Sequence, residues 1–267
     1  MNTPKPLILV SNDDSYLANG VKVLIDTLLP FGDVVAICPE TPQSGKSMAI
    51  TVNDALRITQ LPDYHGAKMY KVNGTPVDCV KLAMHTVLPR PADLVCTGIN
   101  HGSNSAINVL YSGTMGAAME GCAFGIPSIG FSLTDHSEDA DFTPCIPAIS
   151  TLVDAVLKNG LPEGTCLNVN VPNIGKVAAD MRLAVPCKGK WNDEYKEYID
   201  PSGKKFYWLT GEYINEEPEN DKTDEWCLDH GIISVVPVEI DRYTKPSGSL
   251  DWLNRVDELY HQKNMLK

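Results

Sequence analysis

Two adjacent carboxylates, Asp13 and Asp14, directly follow a short apolar run near the start of the chain. The run Leu7–Val10 is rich in branched residues and is bounded by polar turn residues, which predicts a buried strand. In open α/β sheets, ligands bind in the crevice beyond the carboxyl ends of the strands. Two carboxylates held together there repel each other unless a cation lies between them, and their oxygens suit Mg²⁺, Mn²⁺ or Ca²⁺. Helix capping is an alternative of equal weight, because Asp is common at caps and turns.

Two further predicted strands end in residues that carry oxygen ligands. Ser44 lies beyond the apolar run Val34–Cys38, and Asn100 follows the buried run Asp93–Thr97. In a parallel sheet these strand ends lie side by side with the Asp pair. Carboxylates, an amide oxygen and a hydroxyl together form an oxygen cage for a hard divalent cation, with water completing the shell.

A second set of polar groups follows the third of these strands. Residues 98–105 are so polar and glycine-rich that they are predicted to form a loop, and Ser112-Gly113-Thr114 is predicted to open a helix that runs to Phe124. The segment 102–114 offers amide donors, two hydroxyls and the positive end of a helix, which is what a phosphate group requires. Loops of this composition are common, so the shared sheet edge is what favours a phosphate site.

The elements that would position these groups alternate between strand and helix. Apolar residues at helical spacing or in short branched runs, with Pro and Gly at the boundaries, predict each element. Further helices are predicted over 20–29, 76–88, 144–157 and 250–260, and further strands over 48–58, 68–72, 126–133, 166–171 and 232–236. This alternation predicts an α/β protein with a parallel sheet.

The pattern changes after Pro186. Residues 188–225 are polar and aromatic, and the turn sequence Asp200-Pro201-Ser202-Gly203 precedes Phe206-Tyr207-Trp208-Leu209. We expect a long hairpin that leaves the main sheet. Exposed aromatic surface usually requires a partner, so this arm is predicted to form an oligomer.

Composition narrows the class of protein. The formal net charge of −12 argues against a nucleic-acid polymer or an anionic membrane as a partner. The first residues lack the basic and apolar regions of a signal peptide, and no apolar run approaches membrane-spanning length. The eight cysteines are scattered without a C-x-x-C pair, which predicts buried thiols. A cytoplasmic protein is therefore expected.

Beyond these physical patterns, the chain resembles the SurE family of nucleoside-monophosphate phosphatases (survival protein SurE, 5′/3′-nucleotidases) along nearly its whole length. Five ordered blocks at family-like separations carry the resemblance: Leu9–Asp14, Gln43–Gly45, Asn73–Val80, Gly98–Asn104 and Tyr111–Gly121. Ser15, Ala18-Asn19-Gly20 and Ser103 stand where family members commonly have other residues. These departures affect the loops and leave the ligand set intact.

The resemblance implies a Rossmann-like, three-layer α/β/α core with a mainly parallel sheet, a protruding β-hairpin and a C-terminal arm. It implies one domain over 1–267, divided into an α/β core (1–185), an extended hairpin (186–230), and a returning strand with the C-terminal helix (231–267). The hairpin and arm would be exchanged between subunits of a homodimer or homotetramer.

The resemblance also implies a ligand set. One divalent metal per subunit, Mg²⁺ or Mn²⁺ with Ca²⁺ as the alternative in crystals, would be bound by Asp13, Asp14, Ser44 and Asn100. Phosphate contacts would come from Asn104, Ser112, Gly113 and Thr114.

The expected reaction is the hydrolysis of nucleoside monophosphates at this metal, a 5′-nucleotidase activity in which Asp13 or Asp14 orients the attacking water or acts as base. The preferred base, the use of 3′-nucleotides and the use of polyphosphate stay open. A non-catalytic nucleotide or metal sensor built on the same cage is the alternative from another class. His101 is set aside as an incidental loop residue, and His230 is a further candidate to reach the site from the returning arm.

Overall fold

The structure, a computed structural model, describes residues 5–240. Its strands are β1 Leu7–Ser11, β2 Asp33–Pro39, β3 Ile58–Tyr64, β4 Ala67–Val72, β5 Leu94–His101, β6 Ser128–Leu133, β7 Thr165–Val171, β8 Met181–Leu183, β9 Gly189–Asn192, β10 Tyr195–Ile199, β11 Lys205–Leu209, β12 Glu212–Asn215 and β13 Ile233–Glu239. Its α-helices are α1 Asn19–Leu28, α2 Pro76–Leu82, α3 Gly113–Ala123, α4 Ile146–Asn159 and α5 Asp224–Asp229. A π-helical turn, Ala83–Val87, extends α2, and 3₁₀ turns occupy Ala106–Leu110 and Thr143–Cys145.

Nine strands form one sheet in the order β3-β4-β2-β1-β5-β6-β7-β13-β8. All neighbours are parallel except β3 with β4 and β13 with β7. The chain moves from β1 towards one edge, and then crosses back to place β5 on the other side of β1. Ligands bind at such a switch point in open α/β sheets, and the predicted α/β fold with a mainly parallel sheet is confirmed.

Helices cover both faces of the sheet. Helices α1 and α4 pack together on one face, and α2 and α3 pack together on the other. In α1 the residues Val21, Leu24, Ile25 and Leu28 are buried, at the helical spacing that the sequence indicates. The central strand β1 is buried along its whole length, because helices cover both of its faces.

The hairpin predicted over residues 188–225, called the arm below, lies outside the main sheet, as predicted. Strands β10 and β11 pair across the turn at Asp200–Gly203, and β9 pairs with β12 below them, so the long hairpin is built from two separate ladders. Helix α5, inside the segment predicted to be hairpin, was not expected. The predicted helix 250–260 lies outside the described residues, and the division of the chain at 185 and 230 stays a prediction.

The predicted strand over 48–58 is wrong. Residues 48–57 form no regular element, and strand pairing begins only at Ile58. The apolar alternation in this segment lacks a neighbouring strand, and Ile50 and Val52 are exposed. Polar groups of α2 hold the segment instead: the amide of Thr51 donates to Asp78 Oδ1 (3.0 Å), and the Thr75 hydroxyl donates to the carbonyl of Ala49 (2.7 Å).

The predicted loop over 98–105 is also partly wrong. Strand β5 continues through Asn100 and His101, which pair with Ser132 and Leu133 of β6 after a bulge beyond Thr97. A bulge re-aims the side chains that follow it while the strand continues. Other predictions hold: all eight cysteines are free and buried. Within 5–240, no helix is long and apolar enough to cross a membrane.

Asp78 should contribute to stability through three bonds that only a carboxylate can accept together. Its Oδ2 accepts from the Thr75 amide (2.9 Å) and from the Thr51 hydroxyl (2.6 Å), and its Oδ1 accepts from the Thr51 amide. In Asp78→Asn an amide NH₂ must face one set of these donors. We expect the free energy of unfolding, measured in urea, to fall by about 1–3 kcal/mol.

Asp54→Asn is the matched control, because it removes the same charge at an exposed position of the same segment. Equal unfolding free energies for the two variants would contradict the role given to Asp78.

Candidate active site

The two predicted carboxylates lie at the switch point of the sheet. Asp13 and Asp14 follow β1, and Asn100 lies near the end of the neighbouring strand β5. Asp13 is buried and Asp14 is half-buried. The order of the strands therefore brings together the residues of the first and fourth sequence blocks.

Asp13 is held by the start of helix α3. The Thr114 hydroxyl donates to Asp13 Oδ1 and also lies 3.4 Å from Asn100 Oδ1. A Cβ at Gly113 would lie 2.8 Å from the Asp13 Cβ and 2.9 Å from its Oδ2. Only glycine at this position allows the helix to begin directly against the carboxylate.

Asn100 is oriented by its own backbone neighbours. Its side-chain nitrogen donates to the carbonyl oxygens of His101 (2.9 Å) and Gly102 (2.7 Å). The amide oxygen is therefore directed to the opposite side, where Asp13 and Thr114 lie. Asp14 is held separately, because its Oδ2 accepts from the backbone amide of His101 at 3.3 Å.

The two carboxyl groups share an unfavourable electrostatic environment. Burial, and then the charge of Asp14, raise the pKa of Asp13 to about 6. Burial also raises the pKa of Asp14. Each shift reflects mainly the cost of placing negative charge out of contact with water, and hydrogen bonds offset it only in part.

Ser44 lies on a loop that packs against both β1 and α3. The Gln43 amide donates to the carbonyl of Asp13 (2.7 Å), and the Ser47 amide donates to the carbonyl of Tyr111 (3.0 Å). A Cβ at Gly116 would lie 2.2 Å from the Ser47 carbonyl oxygen, so the loop packs directly on the helix backbone. This contact explains one of the small residues that the sequence places along α3.

The four predicted phosphate contacts fall into two kinds. Ser112 caps α3 by accepting from the Met115 amide (3.0 Å), and it lines a cavity together with Asn104. Thr114 is fully buried, with its hydroxyl engaged by Asp13. Gly113 and Thr114 can therefore offer a ligand only their backbone amides at the start of the helix, where the first N–H groups have no intrahelical acceptor.

Asn104 is fixed by a network with β6 and β7. Its amide donates to Asn170 Oδ1 (2.7 Å), its side-chain nitrogen donates to the Ser132 hydroxyl (2.8 Å), and its carbonyl accepts from Asn168 Nδ2 (2.8 Å). One face of the loop after β5 is thus rigidly tied to the sheet.

These groups open into a cavity of about 800 Å³, within the size range of small-ligand sites. Asp13, Ser44, Asn100, Asn104 and Ser112 line its inner end. His101, set aside on sequence grounds as an incidental loop residue, also lines the cavity, and sequence reasoning missed His136, Trp191, Tyr213 and Glu225.

The missed aromatic wall comes from the base of the arm. Trp191 Nε1 donates to Asn108 Oδ1 (2.9 Å), and the indole meets the Tyr213 ring edge-on, with centroids 5.9 Å apart. The aromatic content of the arm was a signal in the sequence, but it was assigned only to oligomerisation. His230 does not line the cavity; its exposed ring stacks on Trp226, with centroids 3.8 Å apart.

The oxygen atoms fit a hard cation better than a metal that prefers His or Cys ligands. The described part of the chain contains no group of three or more His, Cys, Asp or Glu side chains that could hold a metal. The predicted set has two carboxylates only, and it depends on the Asn100 amide oxygen and the Ser44 hydroxyl to complete it. Such oxygen-only sets with few charges suit Mg²⁺ or Mn²⁺ that retains several water molecules.

Comparison with known proteins places the chain in a family. The family model described as Survival protein SurE matches residues 8–193, well over half of the chain. The chain belongs to the SurE family. It is 46% identical over 241 residues to the protein named 5′-nucleotidase SurE of Phocaeicola vulgatus, covering 90% of this chain and 93% of that protein. The 5′-nucleotidase SurE of Bacteroides thetaiotaomicron is 43% identical over 254 residues, covering 95% and 97%.

A solved structure agrees with this assignment. The SurE protein from Aquifex aeolicus superimposes with a TM-score of 0.80 at 34% identity, covering 93% of this chain and all of that chain. The SurE-like fold predicted from the five sequence blocks is confirmed. The blocks contribute the inner end of the cavity, and most of the arm's aromatic wall lies in or beyond the last residues that the family model matches.

The contact between α3 and the Ser44 loop yields a test. Gly116→Ala should stabilise the helix by about 1 kcal/mol through its higher helix propensity. The added methyl group would collide with the Ser47 carbonyl oxygen, which should cost more than this gain. We therefore expect the free energy of unfolding to fall by about 2 kcal/mol. Urea unfolding measures the loss, and a crystal structure of the variant should show residues 44–47 displaced.

Ala123→Ser, which adds one heavy atom at an exposed position of the same helix, should change the unfolding free energy little. A stabilised Gly116→Ala protein with an undisplaced loop would contradict the close approach.

Proposed function

We propose that this chain is a metal-dependent phosphomonoesterase, a 5′-nucleotidase that converts nucleoside monophosphates to nucleoside and phosphate. The observation that carries the proposal is the meeting of Asp13 and the Asn100 oxygen with Thr114 at the start of α3, beside a nucleotide-sized cavity that Asp13 and Asn100 line. Relatives at 46% and 43% identity over nearly the whole chain are named 5′-nucleotidases. The aromatic pair Trp191 and Tyr213, which lines the same cavity, suits a nucleobase, which is itself a flat π-system.

The metal would be held by Asp13, Asp14, Ser44 and Asn100, one Mg²⁺ or Mn²⁺ ion per subunit, with Ca²⁺ as a substitute in crystals. Bound there, the ion would neutralise phosphoryl charge and acidify a bound water. The metal ion would be important for binding phosphate, because none of the described residues that line the cavity is Lys or Arg. The chain itself supplies little fixed positive charge for a phosphate dianion.

The chain's own residues would position the reacting groups. The amides of Gly113 and Thr114, the Ser112 hydroxyl and the Asn104 side chain are proposed to hold the phosphoryl oxygens, with the positive end of α3 directed at them. Asp13 and Asp14 are proposed to orient the attacking water, and one of them accepts its proton. Thr114 fixes the Asp13 carboxylate for this purpose.

Assembly and location are part of the same proposal. The arm exposes Tyr195, Tyr198, Tyr207, Trp208 and Leu209, and such surface is unusual on a monomer. We propose that it joins subunits of a homodimer or homotetramer through exchange of the hairpin and C-terminal arm, and that the protein is cytoplasmic.

Phosphate release from nucleoside monophosphates tests the activity. We expect turnover with Mg²⁺ or Mn²⁺ and loss of turnover with excess chelator, and we expect Asp13→Asn to lower kcat/KM by at least about 100-fold because a ligand and a charge at the reacting centre are both lost. A panel of 5′-nucleotides, 3′-nucleotides and polyphosphate defines the substrate range.

Asp33→Asn, at the exposed start of β2, is the control of equal charge. Wild-type turnover by Asp13→Asn would overturn the assignment, and nucleotide binding without turnover by the native chain would indicate a sensor.

The raised pKa of Asp13 predicts how metal affinity depends on pH. The folded-state pKa of Asp13, about 6, lies above the usual value of about 4 for Asp. Between these two values the metal-free folded protein keeps a proton on Asp13 that the unfolded chain has lost, so its stability falls as the pH rises from about 4 to about 6. The metal needs the ionised carboxylate, so Mn²⁺ should bind about 10-fold more tightly at about pH 7.5 than at about pH 5.

Titration calorimetry at the two pH values measures this difference. Mn²⁺ affinity that is equal at both pH values, or that falls towards neutral pH, would contradict a metal site that uses an Asp13 carboxylate with a raised pKa.

A further inference from the structure

Glu225 brings a carboxylate into the cavity from the second residue of α5. The residue is half-buried and lines the same cavity as Asp13 and Asn104. Its Oε1 accepts a hydrogen bond from the Ser105 hydroxyl, which also lies 3.0 Å from the Ser103 hydroxyl. None of the five sequence blocks contains this residue, and the function proposed above gives it no role.

The backbone around Glu225 is locked to the loop that follows β5. The neighbouring Asp224 is buried, and its carboxylate accepts from the amides of Ala106 (2.7 Å) and Cys187 (2.8 Å). Thr223 caps the helix by accepting from the Trp226 amide (3.3 Å). The Glu225 side chain is therefore fixed relative to Asn104, which is two residues before Ala106.

The chemistry of the cavity indicates what this carboxylate contacts. A carboxylate is an acceptor only, and among the described cavity residues no Lys or Arg is present to pair with it. A ligand with hydrogen-bond donors would satisfy it, whereas a second anion would be repelled. In a nucleotide, such donors are the sugar hydroxyls and the N–H groups of the base.

Position favours the sugar. Ser105, which binds Glu225, directly follows Asn104, the proposed phosphate contact. The carboxylate is thus bonded to the residue next to the proposed phosphate contact, and the sugar is the part of a nucleotide joined directly to the phosphate. The aromatic pair Trp191 and Tyr213, which lines the same cavity, is the surface proposed to contact the base.

We propose that Glu225 determines sugar specificity by accepting a hydrogen bond from the ribose 2′-hydroxyl of the bound nucleotide. The inference rests on the proposed nucleotidase function and deepens it. A site that pairs a partly buried carboxylate with a substrate hydroxyl discriminates against the analogue that lacks this hydroxyl, because the carboxylate then keeps only the Ser105 donor and loses the one from the substrate.

The ratio of kcat/KM for 5′-AMP to that for 2′-deoxy-5′-AMP, measured with Mn²⁺ present, tests the proposal. We expect the native protein to prefer the ribonucleotide by about 10-fold or more, and Glu225→Gln to bring the ratio close to about 1, since a neutral amide accepts more weakly. A purely structural role would lower both rates together and leave the ratio unchanged.

Glu194→Gln is the matched control, because it is the same substitution at an exposed carboxylate of the same cavity, and it should preserve the native ratio. If Glu225→Gln does not fold, Ser105→Ala, which removes the hydroxyl that orients Glu225, should shift the ratio in the same direction by a smaller factor.

An unchanged ratio in a folded, active Glu225→Gln protein would overturn the sugar assignment. A selective loss of 5′-GMP turnover with an unchanged ratio would also overturn it, because the carboxylate would then contact the base. If the native protein hydrolyses neither nucleotide, the proposed function itself fails, which distinguishes the two failures.

Discussion

The contact between the Asp13 carboxylate and the first turn of α3 is the interaction on which the site depends. Burying a carboxylate is unfavourable unless hydrogen bonds or a cation compensate it. Here the Thr114 hydroxyl supplies one bond, and Gly113 removes the Cβ that would keep the helix away. The first amides of α3, which have no intrahelical acceptor, therefore lie next to the carboxylate. One packing contact therefore places groups for a cation and groups for an anion next to each other.

The charge of the residues that line the cavity explains why the proposed site needs a bound cation as well as groups that bind an anion. Asp13, Glu194 and Glu225 line it, while no Lys or Arg does so within the described residues. A phosphate dianion would meet a negative field unless a cation is bound first, so substrate affinity and metal occupancy are expected to be coupled. The chain's formal charge of −12 strengthens this coupling. In the proposed function, nucleotide recognition would thus rely on a bound ion, helix amides and hydroxyls, because the described lining of the cavity contains no basic cluster.

Sequence reasoning predicted the inner end of the cavity because that end follows from local rules. Asp13 and Asn100 each follow an apolar run, and parallel strands bring their carboxyl ends to one edge. The Asp78 capping box was likewise readable from Thr75-Pro76-Val77-Asp78. The errors arose where long-range packing decides the outcome. Residues 48–57 alternate like a strand but find their partners in α2, and β5 continues past Thr97 because a bulge lets it pair with β6. Glu225 and Trp191 reach the cavity through contacts with Ser105 and Asn108, far away in sequence, which no local pattern encodes.

The central claim is that oxygens from separate loops converge on one divalent cation. Crystals of the protein soaked in Mn²⁺ and measured near the manganese absorption edge test this most directly. The account predicts a single anomalous peak per subunit within bonding distance of Asp13, Asp14 and the Asn100 amide oxygen, roughly 2.0–2.4 Å for a small divalent cation. Full soaking with no peak between these side chains, or a peak elsewhere in the cavity, would contradict it.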